Sequence, residues 1–416
     1  MEKPELMSPA GDWACLRAAV DSGADAVYLG IRGPSMRNKA ENFSLSELKK
    51  VVKFCHDKNV KVYVTVNSIV YEWDLKNNEK ILEKCKEVGV DAVICWDVSV
   101  IKQAKKLGLN VHLSTQASIS NSEAVNFYKT LGIDRVVLAR ECSLEQIKEI
   151  IKNTNVEVEV FVHGAMCMAI SGRCFLSQFT DGSSANRGVC IQNCRREYTV
   201  IDDAGNKLRL GNDYILSAED LCALPFIEKL IEAKITCFKI EGRNKGAEYV
   251  KRVTEAYRKA INFYFSNKGK PLSTQEEKDF DIKFKKLKDE LMIGLKEVYN
   301  RGLSSGFFLN KPINAWNNVH GSKSNKVKRE IGRVENYLSK KGIAIVKIFS
   351  GELKTEDHIF VIGNTTGILE QEVGSMEMNG KKVDVIKQGQ LVGLKINGKV
   401  REGDKVFLWV DRISND

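Results

Sequence analysis

The chain of 416 residues is 43% apolar, enough to build the core of one large domain and of a smaller one. Its formal charge of +10, from 64 basic against 54 acidic residues, argues against a strongly cationic substrate and raises the expectation of an RNA or phosphate partner only modestly. No run of about 18 uncharged apolar residues occurs, so no membrane span is expected, and the opening MEKPELMSPAGDW lacks a basic segment followed by an apolar one, so a cytoplasmic protein is expected.

From the N-terminus, eight apolar runs read as strands: ELMSPA (5–10), DAVYLGI (25–31), KVYVTVN (61–67), DAVICW (91–96), NVHLST (110–115), RVVLAR (135–140), VEVEVFVHG (156–164) and TCFKIEGR (236–243). Helical patterns such as DWACLRAAVDSG lie between most of them. One phrase recurs, as SGADAVYLG (22–30), VGVDAVICW (88–96) and LGIDRVVLA (131–139). In each, a helix ends at a glycine (Gly23, Gly89, Gly132) that can take the left-handed conformation, and a buried strand follows. This grammar predicts an α/β fold, a (β/α)8 TIM-like barrel over about residues 1–320. The alternative, a doubly wound open sheet, usually carries a glycine-rich phosphate loop after its first strand, and none is present.

In a barrel, polar residues at the carboxyl ends of the strands line the active site. Here these are Asn67, Trp96, Asp97, Gln116, Arg140, Glu141, His163, Glu241 and Arg243. After the eighth run, residues 245–300 have helical periodicity with dense charge and read as helices packed outside the barrel. The basic, polar stretch 321–330 reads as a linker. Short alternating runs from Ile331 to the end, separated by Asn379-Gly380 and Asn397-Gly398 turns, predict a small antiparallel β-barrel domain over 331–416, a type that commonly binds RNA or protein.

Eleven cysteines in a reducing compartment call for metal binding, catalysis or burial rather than disulfides. Cys15, Cys55, Cys85, Cys95, Cys142 and Cys222 fall in helices or strands and read as small buried hydrophobes. Four others sit in one loop, residues 163–198, spaced Cys167-x6-Cys174-x15-Cys190-x3-Cys194. No close C-x2-C knuckle of the usual zinc kind occurs, so the spacing suits an iron–sulfur cluster better, with zinc still open. Glycines 164, 172, 182 and 188 allow a backbone wrapped closely round a cluster. Arg173, Arg187, Arg195 and Arg196 flank the thiols, either offsetting cluster charge, binding an anion, or simply solvated.

The segments EVFVHGAMCMAISGRCFLSQF, NRGVCIQNCRREY and FKIEGR, with the opening ELMSPAGDWACLRAAVDSGADAVYLG, resemble the signatures of the bacterial family long filed as collagenase-like peptidases. Within it the chain is similar to the tRNA hydroxylation protein P branch. That resemblance implies a hydroxylase forming 5-hydroxyuridine at the wobble position of tRNA, dependent on a 4Fe-4S cluster and on prephenate as hydroxyl source. Other members hydroxylate a cytidine of ribosomal RNA. Carried over, the cluster ligands are Cys167, Cys174, Cys190 and Cys194. Cys237, expected near the barrel mouth, is the alternative for the fourth.

The family's older label can be weighed on residues. With histidines at 56, 112, 163, 320 and 358, no pair lies within one helical turn as a zinc protease requires, and Gly-x-Ser-x-Gly is absent. A cysteine peptidase built on Cys167 and His163 remains the alternative, though it leaves three cysteines without a task. For the hydroxylase, Arg140, Arg173 and Arg243 are candidates to grip the carboxylates of the donor, Glu241 or His163 to move protons, and Arg187, Asn67 and Gln116 to bind substrate.

Overall fold

The structure is a computed structural model that describes residues 1–33, 35–36, 40–208, 214, 216–268, 273–309, 312, 315–319 and 321–412. All eight expected strands form: β1 (Glu5–Ala10), β2 (Ala26–Gly30), β3 (Lys61–Thr65), β4 (Ala92–Cys95), β5 (Val111–Leu113), β6 (Arg135–Val137), β7 (Glu157–Gly164) and β8 (Cys237–Ile240). Each runs parallel to its neighbours in chain order, and β8 pairs with both β7 and β1, which closes the ring. Four of the helices between them start on side-chain caps, for example Asp12 accepting from the Cys15 amide at 2.7 Å. Gly23, Gly89 and Gly132 take the positive φ expected of helix ends.

Strand alternation sorts the residues into an inside and an outside. On β1, Leu6 and Ala10 join the large core under the helices, and Ser8 bonds Thr254 of the outer helix Ala247–Lys268 at 2.8 Å. Met7 packs inside the barrel with Ala26, Tyr28, Tyr63, Ala92, Ile94 and Cys237. The amino-terminal end of the interior is closed by charge. Arg135 pairs with Glu5 at 2.6 Å and Glu157 at 2.7 Å, and Glu159 accepts from Lys239 at 2.7 Å.

Cys237 belongs to this closed end. It opens β8 rather than ending it, paired in register with Glu5 and Glu159, so the expectation that it lies near the mouth is corrected. The six cysteines expected in helices and strands are all buried.

Two outer helices, Ala247–Lys268 and Thr274–Glu297, account for the charged segment after β8 and meet through stacked Phe263 and Phe284, 5.4 Å between centroids. The C-terminal domain is an eight-stranded antiparallel sheet, a ladder with two edges among the described residues, around a core that includes Val334, Val346, Ile359, Leu394 and Val406. Its first strand begins at Lys326, inside the stretch expected as a linker. Lys326–Glu330 pairs there with Phe407–Asp411, and the run of basic side chains had hidden a strand. This domain rests on the barrel's outside. Glu370 accepts from Lys251 at 3.0 Å and from Arg252, Lys328 bonds Glu248 at 2.6 Å, and Phe360, Phe407 and Trp409 join the barrel's core.

Candidate active site at the barrel mouth

At the carboxyl ends of the strands lies a cavity of about 300 Å³. Tyr28, Phe161 and Lys239 line it from inside the barrel, and Thr65, Asn67, Ser114, Gln116, Arg140, Glu241 and Arg243 line it from the strand ends and the turns after them. The loop after β7 contributes Cys167, Cys174, Cys190 and Cys194 together with Met168 and Gly172. The loop is packed close: a Cβ at Gly172, whose φ is +79°, would stand 2.4 Å from the Met36 methyl and 3.2 Å from Gln116 Nε2.

Each charged side chain is held by neighbours. Arg243 Nη1 donates to Ser35 Oγ at 2.7 Å and Thr65 Oγ1 at 2.8 Å. Gly30 leaves it room, since a Cβ there would come within 2.8 Å of the guanidinium. Arg140 lies over the Phe161 ring at 3.9 Å and donates to the Ala165 carbonyl. The Lys239 ammonium sits between the Tyr28 ring, 4.6 Å away, and the Phe161 ring, 5.4 Å away. Asn67 donates to Ser114 Oγ at 3.2 Å and Gln116 Oε1 at 3.3 Å, so these three form one buried polar shelf.

Burial pushes the Cys194 thiol above its ordinary range; Arg195 beside it acts the other way, and Cys167, Cys190 and Cys174 add to the rise. The other three loop thiols are therefore within electrostatic reach of Cys194. Cys190 Sγ also accepts from the Gln192 amide at 3.4 Å. Among the described residues, no three His, Cys, Asp or Glu side chains converge as a single metal ion requires. The four cysteines line one cavity, and four thiols are a donor set that an iron–sulfur cluster can take.

Of the residues expected at the site, Asn67, Gln116, Arg140, Glu241, Arg243 and the four cysteines line this cavity, and His163, Arg173 and Arg187 do not. His163 is 2% exposed, with its ring against Tyr249 and Tyr257 of the outer helix. The cause is local. Between the pairs Phe161–Lys239 and His163–Ile240, β7 carries one residue more than β8, and this bulge turns His163 away from the side on which Phe161 faces the cavity. Burial lowers its pKa to about 3. Arg187 pairs with Asp74 and donates to the Ile69 carbonyl, tying the cysteine loop to the turn after β3. Arg173 lies over the Trp96 ring at 4.6 Å. Asp97 caps the helix Val98–Lys106, accepting from the Ser99 amide at 2.9 Å, and Glu141 is exposed. His320 lies outside the described residues.

Sequence reasoning missed Lys239 and Glu159. A charge in the middle of an apolar strand, as in VEVEVFVHG and CFKIEG, was the available signal, because an inward-facing charge in a parallel barrel needs a partner on a neighbouring strand.

Fold and site together define a TIM-barrel protein whose mouth holds a cysteine-lined pocket with cationic walls. The sequence pattern of Peptidase family U32 matches residues 11–318, and the chain belongs to that family. It is 43% identical to an uncharacterized protease of Methanocaldococcus jannaschii over 98% of this chain and 99% of that one. It is 38% identical to a collagenase of Porphyromonas gingivalis over 97% of both chains. It is also 40% identical to tRNA hydroxylation protein P1 of Bacillus subtilis over 63% of this chain and 64% of that one.

Proposed function

We propose that the chain is an iron–sulfur-dependent RNA hydroxylase that forms 5-hydroxyuridine in tRNA with prephenate as the hydroxyl source. One observation carries the reading: four loop cysteines, Arg140, Arg243 and Lys239 face a single cavity, while His163 is turned away from it. A thiol peptidase needs an imidazole within hydrogen-bond reach of its nucleophile. His163 contacts Tyr257 and not Cys167, and the other described histidines face elsewhere: His56 bonds Asp91, His358 bonds Glu370, and His112 is buried beside Tyr63.

When bound by Cys167, Cys174, Cys190 and Cys194, a 4Fe-4S cluster supplies one-electron redox chemistry. The chain's own residues do the rest. Arg243, fixed by Ser35 and Thr65, and Arg140, fixed on Phe161, present guanidinium groups suited to carboxylates. The shelf of Asn67, Ser114 and Gln116 offers donors and acceptors to the edge of a base, as sites for extruded bases require. Glu241 is the carboxylate placed to take up or give a proton. Around the mouth, Trp73 is 75% exposed and Phe179 87%, with Tyr71 and Phe175 beside them, a composition suited to stacking single-stranded bases.

The second reading, peptide hydrolysis through Cys167, is favoured by the protease and collagenase names of relatives matched over their full length. Nucleoside mass spectrometry separates the two. A strain lacking the gene loses 5-hydroxyuridine from tRNA under the first reading. Unchanged tRNA, with collagen cleavage by cluster-free protein, supports the second; loss of 5-hydroxycytidine from ribosomal RNA instead redirects the substrate.

A further inference from the structure

In the buried shelf at the mouth, one backbone amide fixes the direction of the hydrogen bonds. The Met36 N–H, which can only donate, meets Asn67 Oδ1 at 3.3 Å. The Asn67 amide nitrogen therefore faces the other way, and its hydrogens go to Ser114 Oγ at 3.2 Å and Gln116 Oε1 at 3.3 Å. Ser114, having accepted from Asn67, gives its own hydrogen to Gln116 Oε1. Both lone pairs of that oxygen are then occupied. A reversed Gln116 amide would set its nitrogen against the Asn67 nitrogen, donor against donor, so the shelf holds Gln116 in a single orientation.

The group left over is Gln116 Nε2. Gln116, in the turn Thr115–Ala117 after β5, lines the cavity and is 7% exposed, and its side-chain hydrogen bonds among the described residues all fall on the oxygen. The nitrogen lies beside Gly172 of the cysteine loop, where a Cβ would stand 3.2 Å from it, so a glycine there leaves the donor uncovered.

We propose that Gln116 is the specificity-determining residue of this site: its amide donates to the 4-oxygen of an extruded uracil and excludes cytosine, whose 4-amino group would meet it donor against donor. This selectivity rests on the RNA reading above. A neutral ring carbonyl suits a neutral amide, whereas carboxylates are better served by the guanidinium groups of Arg140 and Arg243. C5, the carbon hydroxylated under that reading, is the ring neighbour of position 4. Gripping the 4-oxygen therefore brings C5 to the side of the cavity where Gly172 and the cysteine loop lie.

The test is fluorescence anisotropy of the full chain with short oligoadenylates that carry one central uridine or cytidine. Wild type should bind the uridine form about tenfold more tightly, because a buried donor facing a donor leaves both groups unpaired. A third RNA, with pyrimidin-2-one in place of uracil, lacks the 4-oxygen and should lose most of that advantage without any change to the protein. Gln116→Glu keeps one oxygen for Asn67 and Ser114 and turns the other to the cavity as an acceptor, so the preference should reverse toward cytidine. Its added charge lowers both affinities and cancels in their ratio. Gln116→Leu has neither group and should bind the two forms alike; both variants are checked for native melting. A wild type indifferent to the three RNAs, or a uridine preference that survives in Gln116→Glu or Gln116→Leu, overturns the assignment of Gln116 and leaves the RNA reading standing. Binding of none of the RNAs removes both.

Discussion

Phe161 and His163 lie two residues apart on β7, yet Phe161 faces the barrel cavity and His163 packs against Tyr249 and Tyr257 outside it. The extra residue of β7 against β8 breaks the alternation, and the histidine becomes part of the core between barrel and helix. This fixes the histidine's titration. Burial keeps it neutral, with a folded pKa of about 3, below the value of about 6.5 for an unfolded histidine.

Because that folded pKa is depressed, the unfolded chain binds the extra proton, and stability is lost as pH falls from about 6.5 toward 3. His163→Gln should remove one proton's worth of this dependence, about 1.4 kcal/mol per pH unit in that window. Urea unfolding of both proteins at pH 7, 6 and 5 checks it. Parallel curves for wild type and variant would show that His163 titrates normally.

Much of this was legible in the sequence for a physical reason. A parallel barrel buries each strand on both faces, so its strands stand out as apolar runs, and the glycines that end its helices recur at one offset before them. The cysteine loop was legible because four of the chain's eleven thiols fall in one short segment rich in glycine. What stayed hidden depends on pairing. The bulge at β7 is a property of two strands, and the Lys239–Glu159 ion pair joins residues 80 positions apart. Arg187 looked like a substrate ligand until the fold brought Asp74 to it.

That buried pair gives a second prediction. Glu159 is fully buried, bonds Lys239 at 2.7 Å and lies 3.6 Å from Arg135. Lys239→Met removes its close partner and should cost about 3–5 kcal/mol. Adding Glu159→Gln to the same chain should recover part of that loss, because the stranded charge is gone. Denaturant midpoints of the two variants decide; a double variant less stable than the single one would mean that Arg135 alone satisfies Glu159.

For the thiols, anaerobically reconstituted protein should be brown and hold about four irons per chain. Cys174→Ser and Cys190→Ser should bleach it, whereas Cys95→Ser, fully buried in the large core and outside the cavity lining, should leave colour and iron unchanged. Colourless protein with one tightly held zinc would end the cluster assignment.

Arg243 is held by two hydroxyls, so its substitution should be read in binding. Arg243→Ala should leave the protein folded and brown while costing on the order of 2–5 kcal/mol in donor binding. More prephenate should then recover part of the RNA hydroxylation. Arg243→Lys should rescue poorly, since a single ammonium lacks the planar fork that reaches Ser35, Thr65 and a carboxylate together. Full activity in both variants removes Arg243 from the site.

The aromatic rim supplies the last test. Trp73 and Tyr71 stand on the turn after β3 at 4.8 Å from each other, and Phe175 and Phe179 on the cysteine loop at 6.3 Å, with Arg187 bonding the loop to that turn through Asp74 and the Ile69 carbonyl. Both pairs are exposed and make little contribution to any core. Their truncation should therefore leave the melting temperature nearly unchanged. If successive bases stack on them, Trp73→Ala and Phe179→Ala should each weaken binding of a single-stranded anticodon-loop oligonucleotide by about 1–3 kcal/mol per stacked base. Neither substitution removes a charge, so the slope of affinity against salt should stay the same, whereas Arg173→Ala should make it shallower by about one unit if that guanidinium contacts a phosphate. Fluorescence anisotropy over a salt series measures both quantities at once. Unchanged affinity in both aromatic variants would leave the rim without a role in RNA binding, and equal loss for a collagen peptide and the oligonucleotide would make it a general apolar contact rather than a platform for bases.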